Sequence, residues 1–165
     1  NVLMDILKDE NKENIDEYIL TKRDEMTKIN FIDIAKNSAV KHMSKYTFKK
    51  QAIGEFQKGT PAHVKAALTY NQLLKYYKAA YKYEPMKDGD KIKWVYLKNN
   101  PLGLESVGMT GYNDPMEILD LVKEYIDYEL IWQKELESKL DDFYKAMNWE
   151  KPSPNLKKAS QFFGF

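Results

Sequence analysis

The stretch KIKWVYLKNNPLGLESVGMT, residues 91–110, decides the fold class. Lys91–Leu97 is rich in β-branched and aromatic residues and reads as a strand. Asn99-Asn100-Pro101-Leu102-Gly103 is dense in turn formers, and Leu104–Thr110 reads as the partner strand. On both sides the pattern changes to a helical period. Upstream, Thr60-Pro61 is a helix start, with Thr as N-cap and Pro at the first helical position. That helix runs through VKAALTYNQLLKYYKAAY to about Tyr81. Downstream, Asp114-Pro115 repeats the start, and Glu117 completes a capping box. A long helical tract follows from 115 to about 148, broken near Asp127, which would cap a second helix, and closed by Met147-Asn148-Trp149.

Further out, residues 3–29 carry apolar positions near a 3.6 period with no Gly or Pro and predict a helix. Lys28–Lys36 alternates apolar and polar residues and predicts a short strand or extended segment. Residues 37–59 read as irregular and basic, with a short helix near 38–45. Pro152 and Pro154 mark a tether that ends in QFFGF. The expected architecture is α+β and mainly α, with long helices around a small β-hairpin near 91–110. One domain spans 1–150, and a tail spans 151–165.

Composition removes several function classes. The 165 residues are 43% hydrophobic and 31% charged, which suits a globular chain with a real core. No apolar run is long enough to cross a membrane, and no secretory leader stands at the start, so a cytoplasmic location is expected. A chain that opens on Asn1 is expected to be a fragment or a processed piece. Cysteine is absent, which excludes disulfides, thiolate metal sites and a cysteine nucleophile. With two histidines, His42 and His63, little remains for a histidine metal site. No phosphate-cradling glycine loop, GxSxG or HExxH is present. Asp141-Asp142 reads as a solvated helix face rather than a metal pair. No catalytic residue and no metal ligand is therefore assigned.

The net charge of +1 hides a partition. Residues 1–20 carry −4, 21–99 carry +10, 100–150 carry −8 and 151–165 carry +3. Lys36 to Lys82 holds ten lysines and one acid, Glu55. Such a block suits a polyanion, although solvated surface gives the same pattern. Within it, Gly59–Lys65 places a helix N-terminus after a glycine. Free N–H groups and the helix dipole there favour a backbone phosphate. His63 and Lys65 would extend that contact, with Tyr70 two turns on against sugar or phosphate. The alternative is that His63 caps or packs locally.

GTPAHVKAALTYN, which contains these residues, resembles the thumb segment of family B DNA polymerases from large tailed phages. IDIAKNSAVKHMSKY is similar to the basic stretch upstream in that family, and KIKWVYLKNNPLG to its thumb strand and turn. EYIDYELIWQKELESKLDDFYKAMNW resembles its late helices, and LKKASQFFGF its basic, aromatic-ended C-terminus. The resemblance implies a thumb domain that grips the duplex backbone without sequence choice. Lys36, Lys49, Lys50, Lys58, His63, Lys65 and Tyr70 would face the DNA. Phe162, Phe163 and Phe165 would dock on the sliding clamp, although Ala159 stands where the strict clamp-binding pattern has a large aliphatic residue. The other partners implied are the palm, fingers and exonuclease parts of the polymerase. No cofactor belongs to this chain; the full nucleotidyltransferase would use Mg.

Two other functions compete. One is a stand-alone single-strand-binding protein with Tyr76, Tyr77, Tyr81 and Tyr83 stacking on bases. The other is a structural or assembly domain. For that, the stripe Ile118, Leu121, Val122, Tyr125, Ile126, Leu130, Trp132, Leu136, Leu140, Phe143 and Met147 need only form a core.

Overall fold

The computed structural model describes residues 2–47 and 52–151. The chain is α+β, about 49% helical, with one small three-stranded antiparallel sheet. Among the described residues the elements run α1 Val2–Met26, α2 Phe31–Ile34, β1 Lys36–Ala39, α3 Ala62–Tyr76, β2 Lys91–Tyr96, β3 Ser106–Met109, α4 Met116–Tyr125, α5 Tyr128–Trp132 and α6 Ser138–Ala146. A 3-10 turn, Met43–Tyr46, follows β1, and a π-helical turn, Gln133–Glu137, joins α5 to α6. No described helix is long and apolar enough to cross a membrane. The described residues separate into two compact units: one within 30–131, and one made of 2–29 with 132–151.

In the central unit the strands lie in the order β1-β2-β3. Trp94 faces Lys36 across one ladder and Gly108 across the other. Side chains alternate across a strand, so these residues share one face of the sheet. The Trp94 indole N–H donates to Ser38 Oγ at 3.0 Å, and the Lys36 ammonium sits 5.3 Å from the indole centroid. On Gly108 a Cβ would stand 3.1 Å from the Ala66 carbonyl oxygen and 3.3 Å from Ile92 Cδ1. Helix α3 therefore lies against β3 at nearly backbone distance, and glycine is the residue that lets it in. Val64, Ala66, Ala67, Tyr70, Leu73 and Leu74 of α3 are buried with Val95, Val107, Met109, Ile118 and Val122 to make the core.

Two asparagine side chains stand in for backbone pairing. Asn100 Nδ2 donates to the Lys98 and Leu104 carbonyls, and its Oδ1 accepts from the Leu102 and Leu104 amides. The β2–β3 turn is thus organised around one side chain. Asn71 Nδ2 donates to Met86 O at 2.9 Å, and its Oδ1 accepts from Met86 N at 2.7 Å, which ties the loop after α3 back to the helix.

Several boundaries depart from the sequence reading. Lys28–Lys36 is not a strand. Asn30 Oδ1 accepts from Ile32 N and caps the helical turn α2. Phe31 and Ala35, one turn apart, are its buried pair. The strand comes after it, as Lys-Asn-Ser-Ala, a segment with no β-branched residue. Thr60 is not the cap of α3, because its hydroxyl donates to Gln57 O at 2.6 Å and Pro61 occupies the cap position. Asp114 is not a cap either. Its carboxylate accepts from the Thr110 and Gly111 amides and the Thr110 hydroxyl, closing the turn after β3. Asp127 does cap α5, with Oδ1 accepting from Leu130 N at 3.0 Å.

Helix α3 ends at Tyr76, five residues short of Tyr81. Ala79 N donates to Leu74 O and Lys78 N to Lys75 O, the two bonds of a Schellman stop. Its left-handed residue is Lys78, at φ 56°, where glycine is the usual occupant. A non-glycine residue there carries strain of about 1 kcal/mol or more.

In the unit built from the chain ends, the Tyr144 hydroxyl donates to Asp16, and the Arg23 guanidinium lies 5.7 Å from the Trp132 ring centroid. Lys151 pairs with Glu137 and Asp141. The apolar stripe drawn through this region fails at Leu136 and Phe143, each 41% exposed. The π-helical turn holds one more residue per hydrogen-bonded ring than the α-helix, which shifts a constant 3.6 period out of phase.

Candidate nucleic-acid interface

The N-terminus of α3 opens on a cleft of about 540 Å³ in the central unit. Three chain segments meet there. Thr60, Ala62 and Lys65 come from the start of the helix, Lys98 and Asn99 from the turn after β2, and Glu105 from the approach to β3. The sequence builds the cleft locally. Pro61, at φ −60° and ψ 151°, starts the helix, and the Thr60 hydroxyl is engaged with Gln57, so no side chain caps the first turn. The first-turn amides keep their donors for another acceptor, and the helix dipole adds positive potential at that end. On the opposite wall the Asn100 side chain is committed to holding the turn, and that turn presents Lys98 and Asn99, both exposed.

Lys65 is half-buried. Its ammonium pairs with Glu105 at 3.1 Å and stands 5.9 Å from the Phe56 ring centroid. The Glu105 side chain is 70% exposed, so this ion pair is screened and weak. The pair also holds down part of the positive charge of the cleft. Glu105→Gln is expected to strengthen binding of a phosphate-bearing ligand here several-fold at low salt, with the gain shrinking as salt rises. Titration of a labelled duplex with each form checks this, and weaker binding by the variant would count against a phosphate in the cleft.

The residues singled out from sequence separate into groups. His63 and Lys65 lie in the first turn of α3, and Lys58 is exposed just before it. Lys36 lies on the sheet against Trp94. Lys49, Lys50, Phe162, Phe163 and Phe165 lie outside the described residues.

Tyr70 does not reach a ligand. It is 1% exposed, and burial pushes its phenol pKa well up, with Asp114 adding to the rise. The expected sugar or phosphate contact at Tyr70 is replaced by a core position, because the residue falls on the buried face of α3. Lys98 was missed. It stood inside a recognised strand-and-turn stretch, but nothing local marks which lysine a hairpin brings beside a helix start. Among the described residues no group of three His, Asp or Glu side chains is placed to hold a metal ion.

The chain matches no protein-family model, and no curated protein matches it.

Proposed function

We propose that the chain is a thumb domain of a family B DNA polymerase of the kind found in large tailed phages, and that it grips the backbone of duplex DNA without sequence choice. The observation that carries the reading is the cleft at the start of α3. It gathers an uncapped helix N-terminus, Lys65 and Lys98 beside the exposed Lys58, within a segment whose sequence resembles that thumb. Phosphate oxygens accept from lysine ammonium groups and helix N-terminal amides, and such contacts hold a duplex without reading bases. In this reading the palm, fingers and exonuclease parts supply the chemistry and its Mg, and this chain transfers no nucleotide by itself. The C-terminal phenylalanines Phe162, Phe163 and Phe165 tether the enzyme to a sliding clamp in the cytoplasm of the host cell.

The test is fluorescence anisotropy of a labelled primer–template duplex and of unrelated duplex sequences, titrated at low and moderate salt. Salt-sensitive binding that ignores sequence supports the reading. Binding that does not change with salt, or no binding at low salt, removes the grip.

A further inference from the structure

The end of α3 and the loop after it, KYYKAAYKY over residues 75–83, place two exposed rings among three cations. Tyr76 is 52% exposed and Tyr81 88%, whereas Tyr77 and Tyr83 pack against the core. Lys75, Lys78 and Lys82 are exposed, and none of them is in an ion pair among the described residues. The Schellman stop exposes the loop, because it ends the helix at Tyr76 and sends the chain off before the tyrosine spacing has completed another turn. The strained position in that stop holds a lysine, not the glycine its backbone prefers. Backbone strain at an unpaired cation is an outlier that invites a functional reading.

We propose that this surface binds single-stranded nucleic acid, with bases stacked on Tyr76 and Tyr81 and phosphates held by Lys75, Lys78 and Lys82. An exposed ring offers a face on which any base can stack, and neighbouring lysines follow the backbone, which together give affinity without sequence choice. In a duplex the base faces are already stacked on one another, so the rings have little to bind. The surface lies at the far end of α3 from the cleft. The helix has 15 residues. At 1.5 Å per residue the two places are about 22 Å apart. The inference does not need the duplex grip to hold.

The experiment uses the full chain and three labelled probes: a deoxythymidine oligomer of about 12 nucleotides, an abasic oligomer of the same length, and a blunt hairpin duplex. Anisotropy is read from about 50 to about 200 mM salt. The expected result is a preference of about tenfold or more for the thymidine oligomer over the abasic one. The Tyr76→Ala/Tyr81→Ala variant is expected to abolish that preference while leaving hairpin binding unchanged. Lys78→Gly, a replacement the backbone favours, is expected to make the salt slope on the oligomer shallower by about 0.7 without lowering the melting temperature. Tyr76→Leu/Tyr81→Leu keeps apolar bulk, removes the rings, and should behave as the alanine pair does. Equal binding of the thymidine and abasic oligomers, or tyrosine variants that bind like the parent, overturns the proposal. Loss of hairpin binding alone bears on the duplex grip and not on this surface.

Discussion

Tyr70→Ala is expected to destabilise the central unit by about 3–5 kcal/mol, the range for removing a buried aromatic side chain. Tyr70 is 1% exposed and belongs to the same core as Leu73, Leu74, Val107 and Ile118. Its removal leaves a hole that Gly108 cannot fill and that α3, already at backbone distance from β3, cannot close by moving inward. Urea melts followed by circular dichroism measure the loss. Tyr70→Phe keeps the ring and separates the two roles the sequence suggested. If the phenol touched DNA, the phenylalanine form would lose duplex affinity. As a core residue it should bind as the parent does.

The same burial sets an alkaline limit. The Tyr70 and Tyr144 phenols both have raised pKa values, chiefly because burial disfavours the phenolate, and Tyr144 is held further by its bond to Asp16. Below about pH 10 both are protonated whether folded or not, and their contribution to stability is fully present. Above about pH 10 the unfolded chain gives up these protons while the folded chain keeps them, so stability falls as pH rises. Tyr70→Phe removes one of the two groups and should flatten that fall. An equally steep alkaline loss in the phenylalanine form would mean that Tyr70 does not contribute.

The largest effect on binding is expected from Lys58→Gln, Lys65→Gln and Lys98→Gln combined. Each lysine that meets a phosphate releases counterions, and its loss makes the slope of log affinity against log salt shallower by about 0.9. For three contacts the slope should change by about 2.7, with the greatest loss of affinity at the lowest salt. The three are surface or half-buried side chains, so the fold should survive. An unchanged slope would place the DNA elsewhere on the basic block, and the cleft would then lose its role. Lys98 is the informative member, since only the hairpin brings it to the helix start.

The hairpin was readable in advance because Ile92, Trp94, Val95 and Tyr96 favour a pleated surface and Asn100-Pro101 and Gly103 favour a turn. The helices were readable from period and from the absence of breakers. What escaped was decided by partners distant in sequence. Strand β1 has no strand propensity of its own; it exists because β2 offers it a ladder, with Lys36 opposite Trp94 and Ala39 opposite Lys91. Thr60 and Asp114 have the chemistry of caps, and both spend it on nearby turns instead. The stop of α3 carries no glycine to announce it. In the cleft, His63 and Lys65 were legible from the helix start. Tyr70 was placed on the wrong side of α3, because a polar hydroxyl on a mostly apolar face looks like a ligand contact until the burial is known.

The unit made of both chain ends has a consequence for biosynthesis. Helix α1 is made before residues 30–131, and Tyr144, the partner of its Asp16, after them. The central unit can close its sheet and core while α1 waits, and α1 then joins a chain end more than a hundred positions away in sequence. Loop-closure entropy grows only slowly with length, so the wait costs little in final stability. It falls instead on the nascent chain, in which α1 must stay unaggregated until α6 arrives.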